Sequence, residues 1–247
     1  MAALSAWICL EAQNAKMPAN QVQAKAEGAS TLDPQLKALI DQLKSMGGKP
    51  IDTLSAPEAR QQPSPTDAVK ALFKKQGKST APEPVGNVQN RTIPGPVGAI
   101  LVRVYTPKGI GPFPLVVYFH GGGWVIANLD TYDSSPRALA NGAGAVVVSV
   151  DYRQAPEHKF PTAPDDSYFA TQCVLAHAQE LNGRADKVAV AGESAGGSLA
   201  TVTCLMARDK GGKMRVYQLL VYPITNYDLD LLSIIPTSHD SGFPRRR

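Results

Sequence analysis

Residues 188–200 read VAVAGESAGGSLA, an apolar run that passes through a Gly-X-Ser-X-Gly motif into a stretch able to form a helix. Four small apolar residues in succession favour a buried strand, and the glycines around Ser194 allow a sharp turn between strand and helix. Such a turn raises the serine hydroxyl above the end of a sheet. Ser194 is therefore a candidate nucleophile at the carboxyl end of a strand.

A second glycine cluster, HGGGW at residues 120–124, follows the apolar run LVVYF at 115–119. Acyl transfer places negative charge on the former carbonyl oxygen, and backbone N–H groups can converge on that oxygen where side chains are absent. The expected donors are Gly122 and Gly123, with Gly121 forming the bend, together with Ala195 at the start of a helix. The two glycine motifs therefore predict a nucleophile facing an oxyanion hole.

The other polar residues near these motifs favour supporting roles. His120 adjoins the glycine cluster, so it is badly placed to act as the base of Ser194 as well, and we interpret it as structural. Trp124 is predicted to be a pocket wall or a core residue. The segment DYRQAPEH at 151–158 is dense in polar groups for a strand end. We expect Arg153 and Glu157 to pair there and to brace the nucleophile loop.

Alternating strands and helices predict an α/β fold with a doubly wound, mostly parallel sheet. Strands are expected at 99–105, 115–119, 145–150, 188–191 and 216–224, and helices at 134–140, 166–181 and 195–208. Two earlier helices, one opened by Asp33 and Pro34 and one at 66–75, lie among proline-rich loops. The predicted organisation is an N-terminal helical cap and linker (1–85), a core (86–230) and an atypical tail (231–247).

Length and composition fit one α/β domain with a sizeable core: 247 residues, 43% of them hydrophobic. The net charge of +4 and the scattered basic residues argue against nucleic acid as a partner. Cys9, Cys173 and Cys204 are far apart, which suggests unpaired thiols in a reducing compartment and a cytoplasmic location. The apolar stretch at 2–10 leaves export open, and no run is long enough for a membrane span.

The segments at 120–124, 151–158 and 192–197 resemble, in order and separation, the hormone-sensitive-lipase-like family of α/β-hydrolases over residues 32–230. That family includes bacterial carboxylesterases and a plant receptor for gibberellin. The resemblance implies an α/β-hydrolase fold whose N-terminal helices cap the acyl pocket. It also implies that the substrate is a small acyl ester, hydrolysed without a metal or an organic cofactor.

The carboxyl end departs from the family pattern, in which an acid and then a histidine follow the serine. Only 23 residues, 225–247, follow Ile224, fewer than the roughly 30 that a strand, a crossover helix and another strand require. The sequence thus predicts a truncated chain without the last strands. His239 is the one histidine after Ser194 and the candidate base, although a short tail of Ser, Pro, Gly and Arg is a poor frame for it. Three interpretations stay open: an impaired carboxylic ester hydrolase, an inactive small-molecule binding protein on the same fold, and a truncated product without function.

Overall fold

A six-stranded sheet forms the centre of the computed structural model, which describes residues 33–212 and 216–226. Its strands lie in the order β1-β2-β4-β3-β5-β6. They are β1 (Asn87–Gly95), β2 (Gly98–Thr106), β3 (Phe113–Phe119), β4 (Val146–Val150), β5 (Gly183–Glu193) and β6 (Val216–Val221). Strands β4, β3, β5 and β6 pair in parallel, whereas β1–β2 and β2–β4 are antiparallel. The predicted doubly wound, mostly parallel sheet is confirmed.

Within the described residues, six α-helices accompany the sheet. They are α1 (Pro34–Ser45), α2 (Ala56–Gln61), α3 (Pro65–Lys75), α4 (Ser134–Ala143), α5 (Thr162–Ala176) and α6 (Ala195–Asp209). Helix α1 begins where the Asp33 carboxylate accepts the N–H groups of Gln35 and Leu36, and Pro34 occupies the first turn. Helix α3 begins with a reciprocal cap between Ser64 and Asp67. The predicted N-terminal helices therefore form where their capping residues indicate.

The core has two layers because side chains alternate across each strand. From β3, Leu115, Val117 and Phe119 pack on the face that also buries apolar residues of α5 and α6. Val116 and Tyr118 point to the other face, where α4 covers them. Helices cover both faces of the central strands, so functional groups are expected at the strand ends, where ligands bind in doubly wound folds.

Two elements were not predicted from the sequence, and two others have bounds that differ from the prediction. Strand β1 was not predicted, because its polar residues and Pro94 suit an exposed edge strand rather than an apolar run. Helix α2 was not predicted either, because it spans only six residues and lies in a proline-rich stretch. The strand expected at 216–224 ends at Val221, and the helix expected from Asp166 begins four residues earlier, at Thr162.

Several predictions concern residues outside the described ranges or are not decided by the fold. Cys173 and Cys204 are free thiols, while Cys9, the apolar stretch at 2–10 and the tail at 231–247 lie outside the described residues. The boundary at residue 85 stays a prediction, although it falls between α3 and β1. None of the helices described is both long enough and apolar enough to cross a bilayer.

Candidate active site

Ser194 lies alone between the end of β5 and the start of α6. Its backbone has φ 52° and ψ −121°, a strained conformation for a residue with a side chain. The Ser194 N–H donates to Val221 O of β6 at 2.9 Å, and its carbonyl accepts the N–H of Ser198 at 3.1 Å in the first turn of α6. The half-buried serine is therefore held on both sides of a sharp strand-to-helix turn.

Glycines flank Ser194 because other backbone passes too close for a side chain. A Cβ at Gly192 would lie 2.2 Å from the carbonyl oxygen of Gly196. A Cβ at Gly196 would lie 2.0 Å from Phe119 O and 2.6 Å from His120 O. The second contact joins the Ser194 turn directly to the end of β3, where the other glycine cluster begins.

The Gly121–Gly123 segment forms a tight turn against the Ser194 turn. Gly122 has φ 109° and Gly123 has φ 59°, and Gly122 O accepts N–H groups of Val125 and Ile126 at 3.1 and 2.9 Å. A Cβ at Gly121 would lie 3.0 Å from the carbonyl oxygen of Glu193, the residue before Ser194. In the described part of the chain, the N–H groups of Gly122 and Gly123 make no backbone hydrogen bond. The structure thus brings both predicted glycine motifs together.

The 151–158 segment holds the other side of this turn. Ala155 N–H donates to Trp124 O at 2.9 Å, and the Gln154 side-chain amide donates to Ile126 O at 2.8 Å and Ala127 O at 3.1 Å. Carbonyls of the turn are thereby directed toward the supporting segment. Its predicted scaffolding role therefore has a physical basis.

The predicted pairing of Arg153 with Glu157 is wrong. Arg153 binds the fully buried Asp166 carboxylate with its N–H, Nε and Nη2 at 2.7–3.1 Å. Glu157 is bound instead by Arg60 of α2, and this guanidinium lowers the pKa of Glu157 to about 2. Each arginine binds a carboxylate from another segment of the chain. Arg153 and Glu157 are four residues apart, but in an irregular loop such residues need not face each other.

His120 is buried beneath the glycine turn. Its Nδ1 lies 2.7 Å from Gly121 O, so Nδ1 carries the proton, and its ring stacks on Tyr152 with centroids 4.5 Å apart. Its Nε2 has no hydrogen-bond partner among the described residues. Burial lowers the pKa of His120 to about 4. These contacts favour the interpretation of His120 as a structural residue.

We predict that His120 makes the free energy of unfolding depend on pH. The pKa of His120 in the folded chain lies below the ordinary histidine value of 6.5, so the unfolded chain binds more protons between pH 6.5 and 4. The free energy of unfolding should therefore fall by about 3 kcal/mol in all as the pH drops through that interval. Urea titrations at a series of pH values measure the slope.

The control for this effect is another histidine in the same chain. His120→Asn keeps an amide donor near the position of Nδ1 and removes the titrating ring, so the slope is expected to flatten. His158 is exposed, and His158→Asn should retain the slope. Equal slopes in the two variants would assign the effect to other groups.

Three tyrosines surround Glu193, a feature that the sequence analysis missed. Tyr118 OH donates to Glu193 Oε1 at 2.7 Å, and Tyr222 OH lies 3.3 Å from Oε2. Burial and Glu193 raise the pKa of Tyr118, and the same causes raise the pKa of Tyr132 to about 12. The hydroxyls of Tyr118 and Tyr222 thereby hold a carboxylate next to Ser194. The one feature of the sequence that could have indicated this cluster is the acidic Glu193 inside the Gly-X-Ser-X-Gly motif.

The candidate base, His239, lies outside the described residues. Within the described part after Ser194 there is no histidine, and Asp209 is the one carboxylate. Asp209 ends α6, a helix of 15 residues, which places it roughly 20 Å along the axis from Ser194. Residues 33–212 and 216–226 contain no cluster of side chains suited to a metal ion.

A cleft of about 1460 Å³ lies between the N-terminal helices and the carboxyl ends of the strands. Ile40 and Leu43 of α1 line one side, and Gly122, Glu193 and Tyr222 line the other. The cleft is wide enough for a small organic molecule. Its position, over the end of the sheet, is where ligands bind in doubly wound folds.

A sheet with this order, a serine at a strand-to-helix turn and a facing glycine turn together define an α/β-hydrolase. Comparison of sequences agrees, since residues 116–241 match the family model described as the alpha/beta hydrolase fold. The chain belongs to this family, in its hormone-sensitive-lipase-like branch.

Among curated relatives, carboxylesterase NlhH of Mycobacterium tuberculosis is 53% identical over 135 residues, which are 54% of this chain and 42% of that protein. A hyperthermophilic esterase from the archaeon Pyrobaculum calidifontis superposes with a TM-score of 0.68 at 42% identity, over 79% of this chain and 60% of that one. Ester hydrolase EH1AB1 from the Lake Arreo metagenome, solved with a bipyridine phosphonate derivative, superposes with a TM-score of 0.70 at 37% identity. The superposition covers 82% of this chain and 64% of that one. The chain spans less than two thirds of each of these relatives.

Proposed function

We propose that the site performs carboxylic ester hydrolysis with Ser194 as the nucleophile. The observation that carries the proposal is the strained Ser194 turn packed against the positive-φ glycines at 122 and 123. Backbone strain at a serine between a strand and a helix is typical of functional sites. The names of the relatives support carboxylic esters as the substrate class.

The chemistry follows from the two turns. Ser194 Oγ bonds to the ester carbonyl carbon, its proton passes to a base, and the negative charge moves to the carbonyl oxygen. Backbone N–H groups of the Gly121–Gly123 turn and of Ala195, at the positive end of the α6 dipole, stabilise that oxygen. Collapse of the intermediate breaks the bond to the alcohol oxygen, which takes up the proton held by the base, and leaves an acyl-serine. Water then attacks the acyl carbon, which releases the carboxylic acid and restores the Ser194 hydroxyl.

The proposal includes an impaired proton transfer. Among the described residues no histidine forms a hydrogen bond with the Ser194 hydroxyl, and the Nδ1 proton of His120 is committed to Gly121 O. His239 is the remaining candidate base. The proposal also assigns residues 1–85 to an N-terminal helical cap and linker, 86–230 to the hydrolase core and 231–247 to an atypical tail.

A phosphonate probe tests the nucleophile directly. A p-nitrophenyl alkylphosphonate is expected to attach once per chain at Ser194, because its phosphorus mimics the attacked carbonyl carbon and hydroxide at alkaline pH replaces a protein base. Intact mass and peptide mapping detect the adduct. The alkylphosphonate group is small enough for the cleft, and a phosphonate accompanies the related Lake Arreo hydrolase.

The matched variants are Ser194→Ala and Ser198→Ala. Ser198 lies one turn into α6, where its hydroxyl donates to Ile224 O at 2.7 Å and lies 3.4 Å from Ser194 O. Ser198→Ala keeps the backbone N–H that binds Ser194 O at 3.1 Å, so labelling should be unchanged. Ser194→Ala should abolish the adduct. Labelling that persists in Ser194→Ala would refute the nucleophile. Saturable binding of an ester without any adduct would favour the binding-protein alternative.

A further inference from the structure

Arg60 connects the N-terminal helices to the glycine turn. From α2, its Nε donates to Val125 O at 2.7 Å, and Nη2 donates to Ala155 O at 2.8 Å. Nη1 and Nη2 also bind the two carboxylate oxygens of Glu157, each at 2.8 Å. One side chain thus makes four hydrogen bonds to two segments that lie 65 and 97 residues away in the sequence.

The backbone carbonyls of the four residues after Gly123, residues 124–127, all accept a hydrogen bond. Trp124 O is bound by Ala155 N–H, and the carbonyls of Ile126 and Ala127 are bound by Gln154. Val125 O alone is bound from the N-terminal helices, by Arg60. Arg60 also donates to Ala155 O, and the N–H of Ala155 donates to Trp124 O, so Arg60 acts on Trp124 through Ala155. The arrangement of the turn therefore depends on where α2 lies.

We propose that Arg60 is a positioning residue through which the N-terminal helices set the geometry of the glycine turn. The proposal rests on the proposed function, because the turn matters for catalysis only as an oxyanion hole. The planar guanidinium suits this task, since a fixed fork can bind a carboxylate and carbonyls in one plane. Docking of α2 orders the turn, and its release loosens the turn without altering Ser194.

Trp124 reports on the turn without any need for catalysis. The chain contains two tryptophans, Trp7 and Trp124, so Trp7→Phe leaves Trp124 as the single fluorophore. In that background Arg60→Ala is expected to shift the emission to longer wavelength and to raise the acrylamide quenching constant. The same variant should slow phosphonate labelling of Ser194 about tenfold or more, because donors displaced by a fraction of an ångström stabilise charge poorly.

Arg91→Ala supplies the matched control. Arg91 is an exposed arginine of β1 that bonds only to Gln89 among the contacts described, so its loss should move neither readout. Glu157→Gln weakens the ion pair with Arg60 but retains the hydrogen bond from Arg60 to Val125 O. It should therefore change Trp124 emission and Ser194 labelling less than Arg60→Ala does. Unchanged Trp124 emission and quenching in Arg60→Ala would overturn the proposal. If Ser194 fails to label even in the unaltered chain, the proposed function fails, while the Trp124 readout still decides the role of Arg60.

Discussion

Gly196→Ala is expected to lower the free energy of unfolding by about 3 kcal/mol or more. The added Cβ would lie 2.0 Å from Phe119 O and 2.6 Å from His120 O. Both contacts are with backbone, which cannot rotate away as a side chain can. The chain must therefore separate α6 from β3, which breaks the packing of the Ser194 turn on the glycine turn. Thermal unfolding should show a midpoint lower by about 6 °C or more.

Gly142→Ala is the matched control for that experiment. Gly142 lies inside α4, and nothing would stand within 4 Å of its added Cβ. Alanine restricts the unfolded chain and favours the helix, so this change should stabilise the protein by about 0.5–1 kcal/mol. A Gly196→Ala chain that unfolds at the temperature of the unaltered chain would show that the two turns are not packed as described.

The sequence was most informative where fold and chemistry share one continuous segment. Residues 188–200 contain a strand, a turn and a helix in succession, and the structure places Ser194 at their junction. The same holds for 115–124, where an apolar strand runs into glycines. Local patterns of hydrophobicity and small residues determine such units, so reading along the chain finds them.

The support of the site could not be predicted because it is made by distant residues. Asp166 lies 13 residues from Arg153, and Arg60 lies 97 residues from Glu157. A charged residue in a loop shows that a partner is needed, but which partner depends on how helices pack on the sheet. The wrong pairing of Arg153 with Glu157 arose in this way. Strand β1 was missed for a related reason, since its hydrogen bonds to β2 rather than its own polar side chains hold it in the sheet.

Turnover of a short-chain p-nitrophenyl ester by the 247-residue chain is expected to be about 10⁶-fold below that of a serine hydrolase with a working base. The described residues supply Ser194 and the glycine turn, but no histidine among them forms a hydrogen bond with the Ser194 hydroxyl. The rate should accordingly rise with pH without levelling off near the pKa of a histidine, because hydroxide has to remove the serine proton. Steady-state rates across the pH range measure this profile.

Added imidazole separates a missing base from a missing nucleophile. If only the base is deficient, the hydrolysis rate should rise in proportion to imidazole concentration, beyond the direct reaction of imidazole with the ester measured in Ser194→Ala. His239→Ala should leave both the rate and its pH profile unchanged, as should His177→Ala at the exposed end of α5. A profile that levels off near neutral pH and is lost in His239→Ala alone would show that the tail delivers the base to Ser194. Imidazole would then add little, because the site would already contain the group that it replaces.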